Sequence, residues 1–462
     1  MRTQLLTMTA LAVVSTMALA GCSGSESEDS GDKTLTVWTV EDVADRVAAQ
    51  EAIFAKYTEE TGVKVDLVAV AEDQLTTVLT SSAAAGELPD VIGALSLNGV
   101  NQLATDDLLD LDAPKAIIDK LGADTFSERA LELTSEGDTQ LAVPSDGWAQ
   151  LLYYRTDLFK AAGLSAPATF DDISAAAAAL DSPDVAGIVA STAPADSFTQ
   201  QTFEHFALAN DCQLVDDDAT LTLDSPECVE ALSFYADLLR DSSVQGNQDA
   251  DTTRATYFSG GAAMVVWSSF LLDELAGLRT DALPTCAECA ADPTFLAANT
   301  GVVSAIQGPS GSEPASFGEI VSWSVLKDAS PKAKGLVEYM MGDGYNDWLA
   351  VAPEGKVPTR TGTADEPGVF SDGWQQLEAG VDTKALLSSV YSADILDSVI
   401  AAPDSFNRWG IPQGQGALAA AVGGQFVVPQ AIASMLNSGV SAKDAAKEAN
   451  DQATTIQEDL DF

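Results

Sequence analysis

Histidine occurs once in 462 residues, and basic side chains are scarce: 22 Lys and Arg stand against 70 Asp and Glu, a formal net charge of −48. The shortage of basic residues excludes nucleic acid as a partner, because phosphate binding needs a basic face. It also excludes docking on anionic lipid through a polybasic patch. The lone histidine, His205, argues against a Ser-His-Asp site. G-x-S-x-G, HExxH and GxxxxGK[ST] are all missing. There is no internal repeat; the N-terminal apolar run is too short for a typical membrane span, and no second candidate span is seen.

Apolar residues are not lacking. They make up 46% of the chain, so its acidity does not mean disorder, which needs low hydrophobicity as well. By length, two to three domains are expected, each able to bury a core.

The N-terminus reads as an address. Arg2 precedes an uncharged, mostly apolar run from Leu5 to Ala20, which ends in Leu19-Ala20-Gly21-Cys22. Small residues before a cleavage point mark a secretory signal peptide, here residues 1–21. The sequence LAGC resembles a bacterial lipobox, which implies cleavage before Cys22 and acylation of its sulfur. Residues 22–33 then form the lipidated cysteine and a Ser/Gly/acidic tether. The expected location is the outer face of the cell membrane, lipid-anchored, extracellular or periplasmic.

Five cysteines are present, and four remain if Cys22 is lipidated. Four allow three pairings; the two local ones, Cys212–Cys228 and Cys286–Cys289, are expected. The C-A-E-C at Cys286 could instead be redox-active or half a zinc site. One histidine and no second CxxC argue against zinc, and a loop-like context after Leu283-Pro284-Thr285 argues against redox. No metal or cofactor is expected.

From Lys33 the pattern alternates βαβα. Strands are expected at 35–40, 63–70 and 89–94, with helices at 43–60 and 73–85 between them and Gly62 as a stop. Further strands are expected at 150–155, 185–190, 262–267 and 320–326. Helix caps show at Thr169 with Asp172, Ser441 with Asp444, Ser225-Pro226 and Ser330-Pro331. Alanine-rich helices follow at 417–421, 432–436 and 442–453.

Several stretches, in order, resemble the extracellular solute-binding proteins of bacterial ABC importers, in the carbohydrate-binding group that includes maltose-binding protein. They are Thr34-Leu35-Thr36-Val37-Trp38, then Tyr57 through Val65, then Ala85-Gly86-Glu87-Leu88-Pro89-Asp90-Val91. Val143-Pro144-Ser145-Asp146-Gly147-Trp148 runs into Leu152-Tyr153-Tyr154-Arg155-Thr156-Asp157-Leu158-Phe159. Phe258-Ser259-Gly260-Gly261-Ala262-Ala263-Met264, Ala329-Ser330-Pro331-Lys332-Ala333 and Gly355-Lys356-Val357-Pro358-Thr359-Arg360 complete the series.

The resemblance implies an α/β, two-lobe periplasmic-binding-protein-like fold of type II. Each lobe is a mainly parallel sheet flanked by helices, with a ligand cleft at the hinge. Lobe 1 would hold residues 34–143 plus about 318–362, and lobe 2 residues 147–317 plus about 363–462. It implies a monomer that captures a carbohydrate, di- or oligosaccharide in size, and hands it to ABC permease subunits. A non-sugar solute (polyol, glycerol phosphate or peptide) is an alternative, and so is a secreted glycoside hydrolase, whose carboxylates would stand about 5–9.5 Å apart.

Sugars are bound by aromatic faces and by planar polar groups that match their hydroxyls. On the family pattern, the candidates are Trp38, Glu41 and Asp42 after the first strand, and Ser96 and Asn98 after the third. Asp146 and Trp148 lie at the lobe crossing, Asp196 and Phe198 at a helix start, and Trp267 and Phe270 after an apolar strand. Trp323, Arg360, Asn407, Arg408 and Trp409 complete the set. Trp348 and Trp374 fall in amphipathic helix patterns and are expected in the core, as is His205.

Overall fold

The computed structural model describes residues 34–71 and 74–460. The signal peptide, Cys22 and the tether lie outside the described residues. One nine-stranded sheet organises the rest. Strands β1 (Leu35–Thr39), β2 (Val65–Ala69) and β3 (Val91–Leu95) are parallel, with β1 in the middle. The long β4 (Val143–Arg155) and β7 (Ser316–Val325) run antiparallel to each other, and β7 is antiparallel to β3. The far half of β4 pairs with β5 (Met264–Ser268) and β6 (Thr300–Val303). Short β8 (Val357–Pro358) and β9 (Phe406–Asn407) pair with β4 and β7. The sheet is therefore mixed rather than mainly parallel. The two long strands β4 and β7 run side by side in opposite directions along the middle of the sheet.

Local signals explain most elements. Helix α1 (Ala44–Thr61) ends at Gly62, whose φ of 75° is a left-handed cap conformation that glycine adopts without strain. Helix α2 (Leu75–Ala85) follows β2, and α3 (Leu97–Thr105) is capped by Ser96, which accepts from the Gly99 amide at 3.4 Å. The Thr169/Asp172 capping box forms. Ser225 caps α5 (Pro226–Ser242), which follows α4 (Ser197–Leu208). After Ser330-Pro331, however, the helix begins only at Ala333. The expected strand at 185–190 is replaced by single bridges, Ala186 to Ala262 and Val189 to Val265. Beyond α6 (Ala250–Phe258), the chain ends in α7 (Gly416–Gly424), α8 (Val427–Ser438) and α9 (Ala442–Leu460).

Both sides of β1 are covered. Leu35 and Val37 join one apolar cluster and Trp38 another. A third cluster packs α4, α5 and the C-terminal helices on the far half of β4. The helix after Arg360 (Val369–Gln375) stays close to the Tyr345 and Pro353 segments: Phe370 meets Tyr345 at 4.9 Å, and the Trp374 indole donates to the Pro353 carbonyl.

The Cys212–Cys228 and Cys286–Cys289 disulfides are both formed. The first closes a 16-residue separation, for which loop-closure entropy predicts about 3 kcal/mol. Cys228→Ala should lower urea-unfolding stability by about that amount; an unchanged midpoint would show that the bridge adds nothing to the fold.

Candidate functional site

The loop after β1 presents Glu41, whose carboxylate meets Arg46 and Lys356, each at 2.7 Å. Burial pushes its pKa up, but Lys356 and Arg46 outweigh burial and hold it at about 2. Glu41 is thus an acceptor at any physiological pH. Asp42 beside it is exposed.

Arg46 begins a ladder of ring contacts. Its guanidinium lies 5.9 Å from the Phe270 ring, and Phe270 lies 6.5 Å from Trp148. Trp148 lies 5.7 Å from Phe317, and the Arg408 guanidinium stands 4.6 Å over Phe317. The ladder runs along the start of the β4 crossing, from the Glu41 loop to Arg408. Trp148 and Phe270 are half-buried. A second aromatic pair, Phe198 and Trp267, sits 5.4 Å apart. Trp267 is 9% exposed, donates to the Ala250 carbonyl and has Arg254 over its ring.

At the Arg408 end opens a cavity of about 400 Å³ between α3, α4 and α7. That volume suits a small ligand. Its polar wall comprises Asn98, Asp196, Gln200, Gln201, Glu204 and Arg408, and its apolar wall includes Phe317, Trp409, Ala419 and Val422. Asp196 caps α4 by accepting from the Phe198 amide at 2.9 Å. Asn98 Oδ1 and Gln200 Oε1 are buried with no hydrogen-bond partner among the described residues. The Trp409 indole donates to the Cys212 carbonyl and its amide donates to Glu204.

Of the expected contacts, the structure brings Asn98, Asp196, Arg408 and Trp409 together in this cavity. It strings Trp148 and Phe270 along the ladder, with Glu41 at the far end. Other expected contacts are engaged elsewhere. Trp38 is buried among Leu75, Leu79, Ile92 and Leu95, because β1 is covered on both faces. Trp323 packs on Trp348 at 4.9 Å and over Gly93, where a Cβ would sit 2.2 Å from its ring. Asp146 is wholly buried and accepts from the Trp348 indole and Ser145 hydroxyl, each at 2.6 Å, beside Lys356. Arg360 spends its donors on the Leu121 and Met341 carbonyls and Thr125 Oγ1. Asn407 accepts from Arg129 at 2.6 Å, and Ser96 serves as the α3 cap. His205 is buried and accepts from the Phe317 amide through Nδ1; burial depresses its pKa to about 3.

Arg46, Gln200, Gln201, Glu204, Phe317 and Lys356 escaped the sequence reading. One signal was available: Ser197, Gln200, Gln201 and Glu204 form a polar stripe at helical spacing along α4.

A family model describing bacterial extracellular solute-binding proteins matches residues 42–277. The chain belongs to this family. It is 25% identical over 359 residues to YcjN of Escherichia coli (strain K12), named as a periplasmic-binding protein of an ABC transporter; the match covers 75% of this chain and 78% of YcjN. The sugar-binding protein MalE of Xanthomonas citri shares the fold at a TM-score of 0.70 and 17% identity, over 93% of this chain and 98% of that one. The cyclic alpha-maltosyl-1,6-maltose binding protein of Arthrobacter globiformis does so at 0.69 and 20%, over 92% and 98%. At such identities the likeness establishes the two-lobe α/β fold. Membership of a solute-binding family decides between binder and enzyme in favour of the binder.

Proposed function

We propose that this solute-binding protein captures a carbohydrate of di- or oligosaccharide size and delivers it to the permease of an ABC importer. The observation that carries the reading is the ladder Phe270–Trp148–Phe317 leading into a cavity with unpartnered Asn98 and Gln200 amide oxygens. Sugar rings need just such a pairing: aromatic surface for their C–H faces and planar amides or carboxylates for their hydroxyls. The sugar-binding names of the structural neighbours support it. Trp148, Phe270, Phe198 and Trp267 supply the apolar surface in this reading, with Asn98, Asp196, Glu41 and Asp42 as polar contacts.

The protein works as a monomer outside the cell, tethered through a lipid on Cys22. Residues 34–143 with about 318–362 form one lobe and 147–317 with about 363–462 the other, closing by a hinge. Cys22→Ser should release the protein from the membrane fraction; continued sedimentation with membranes would refute the lipid tether.

The test of ligand class is a thermal-shift screen of malto-, cello- and xylo-oligosaccharides with polyols as controls. A sugar at a hundredfold excess over its Kd adds about 2.7 kcal/mol of stability, with no product formed. Trp148→Ala should weaken binding of that sugar about tenfold or more. Stabilisation by polyols alone, or turnover of any sugar, would sink the carbohydrate reading.

A further inference from the structure

Arg408 is the one cation lining the cavity among the described residues, and it is ion-paired with two carboxylates. Its Nη1 donates to Glu319 Oε2, and its Nε lies 3.6 Å from Glu204 Oε1, an ion-pair contact without a hydrogen bond. Glu319 Oε1 in turn accepts from the Leu97 amide at 2.7 Å, and Glu204 Oε1 from the Trp409 amide at 2.8 Å. Glu204, Glu319 and Arg408 are each more than nine-tenths buried. Glu204 and Glu319 both pair with the guanidinium, Asp196 lines the same cavity as Glu204 and Arg408, and no lysine or second arginine lines it among the described residues. The two unpartnered amide oxygens, Asn98 Oδ1 and Gln200 Oε1, add acceptors on the same wall.

From this arrangement, and resting on the carbohydrate reading above, we infer that Arg408 is a positioning residue for Glu204 and Glu319, and that the cavity takes solutes through their hydroxyl or ammonium donors and rejects anionic ones. A guanidinium already shared by two carboxylates has little charge left for a ligand. An entering carboxylate or phosphate meets the Asp196 and Glu204 carboxyl groups beside a cation that is already paired, in a partly desolvated space where like charges are costly. The Glu204 pKa is raised on balance, so its negative charge depends on Arg408. Burial pushes its pKa up and Arg408 works against that rise, with Glu319 adding to it; the adjacent His205 is neutral.

The experiment is calorimetric titration of the full chain with three trisaccharides of one size: maltotriose, the glucosamine trimer and the galacturonic acid trimer. The neutral or amine trimer should bind about 100-fold tighter than the acidic one. Equal or tighter binding of the galacturonic acid trimer overturns the inference while leaving the carbohydrate reading intact. A carboxyl-carbon NMR titration of the free protein is run beside it. Arg408→Gln should raise the Glu204 titration by about one pH unit or more, and Arg408→Lys, which keeps the charge, by less. An unchanged Glu204 titration in both variants overturns the positioning role. If none of the trimers binds, the carbohydrate reading fails for them, and the charge arrangement stands or falls on that titration.

Discussion

Lys356→Met should cost the fold about 3–5 kcal/mol, the range for removing one partner of a buried ion pair. Lys356 is almost wholly buried and lies 2.7 Å from Glu41 and 3.4 Å from Asp146, with its ammonium 4.0 Å from the Trp348 ring centre. Without it, Asp146 stays in the interior with hydrogen bonds but no counter-charge, and Glu41 faces it as a like charge. Burial already pushes the Asp146 pKa up, and Lys356 is the main force opposing that. The variant should therefore recover part of its loss on acidification, as Asp146 takes up a proton. Lys356→Met combined with Asp146→Asn should regain most of the loss, since asparagine still accepts from the Trp348 indole. Urea unfolding at neutral pH measures all three proteins. A single-variant loss below about 1 kcal/mol would mean that the triad is not held together by its cation. The cost would also reach the site, because Lys356 and Arg46 together orient Glu41.

Asp273→Asn is expected to stabilise the protein above neutral pH and to remove a pH slope that the parent shows. Asp273 is 1% exposed, and neither carboxylate oxygen has a hydrogen-bond partner among the described residues. Burial, then the like charge of Glu354, pushes its pKa to about 8, with Arg279 opposing. Glu354 is likewise buried, with Oε2 unpartnered. An unfolded aspartate titrates near 4. Between those values the folded chain holds a proton that the unfolded chain has released. The contribution of Asp273 is thus most favourable below about pH 4 and is lost as pH rises towards 8, where it levels off. At about 1.4 kcal/mol per pH unit, the full span has a limit on the order of 5 kcal/mol. Glu41 acts in the opposite sense in a lower window: its stabilisation is present above about pH 4.5 and is lost as pH falls towards 2. Urea unfolding of parent and variant from pH 5 to 9 separates the two groups. Parallel curves would show that Asp273 carries no proton in the fold.

Much of this protein is legible in its sequence. The βα alternation, the Gly62 stop, the Thr169 and Ser225 caps and both local disulfides follow from short-range rules, because neighbouring residues alone set backbone angles, caps and small loops. The family also shows in ordered local stretches. The site was legible only in part, since a tryptophan after a strand looks the same whether its ring faces core or cleft. Tertiary structure alone put Trp38 and Trp323 inside and left Trp148 half-open between Phe270 and Phe317. It alone paired Arg408 with Glu319 across 89 residues and Lys356 with Asp146 across 210. With 70 carboxylates and 22 cations in the chain, no local rule selects those partners. The choice is made where strands cross and helices pack, because burial there makes an unpaired charge costly.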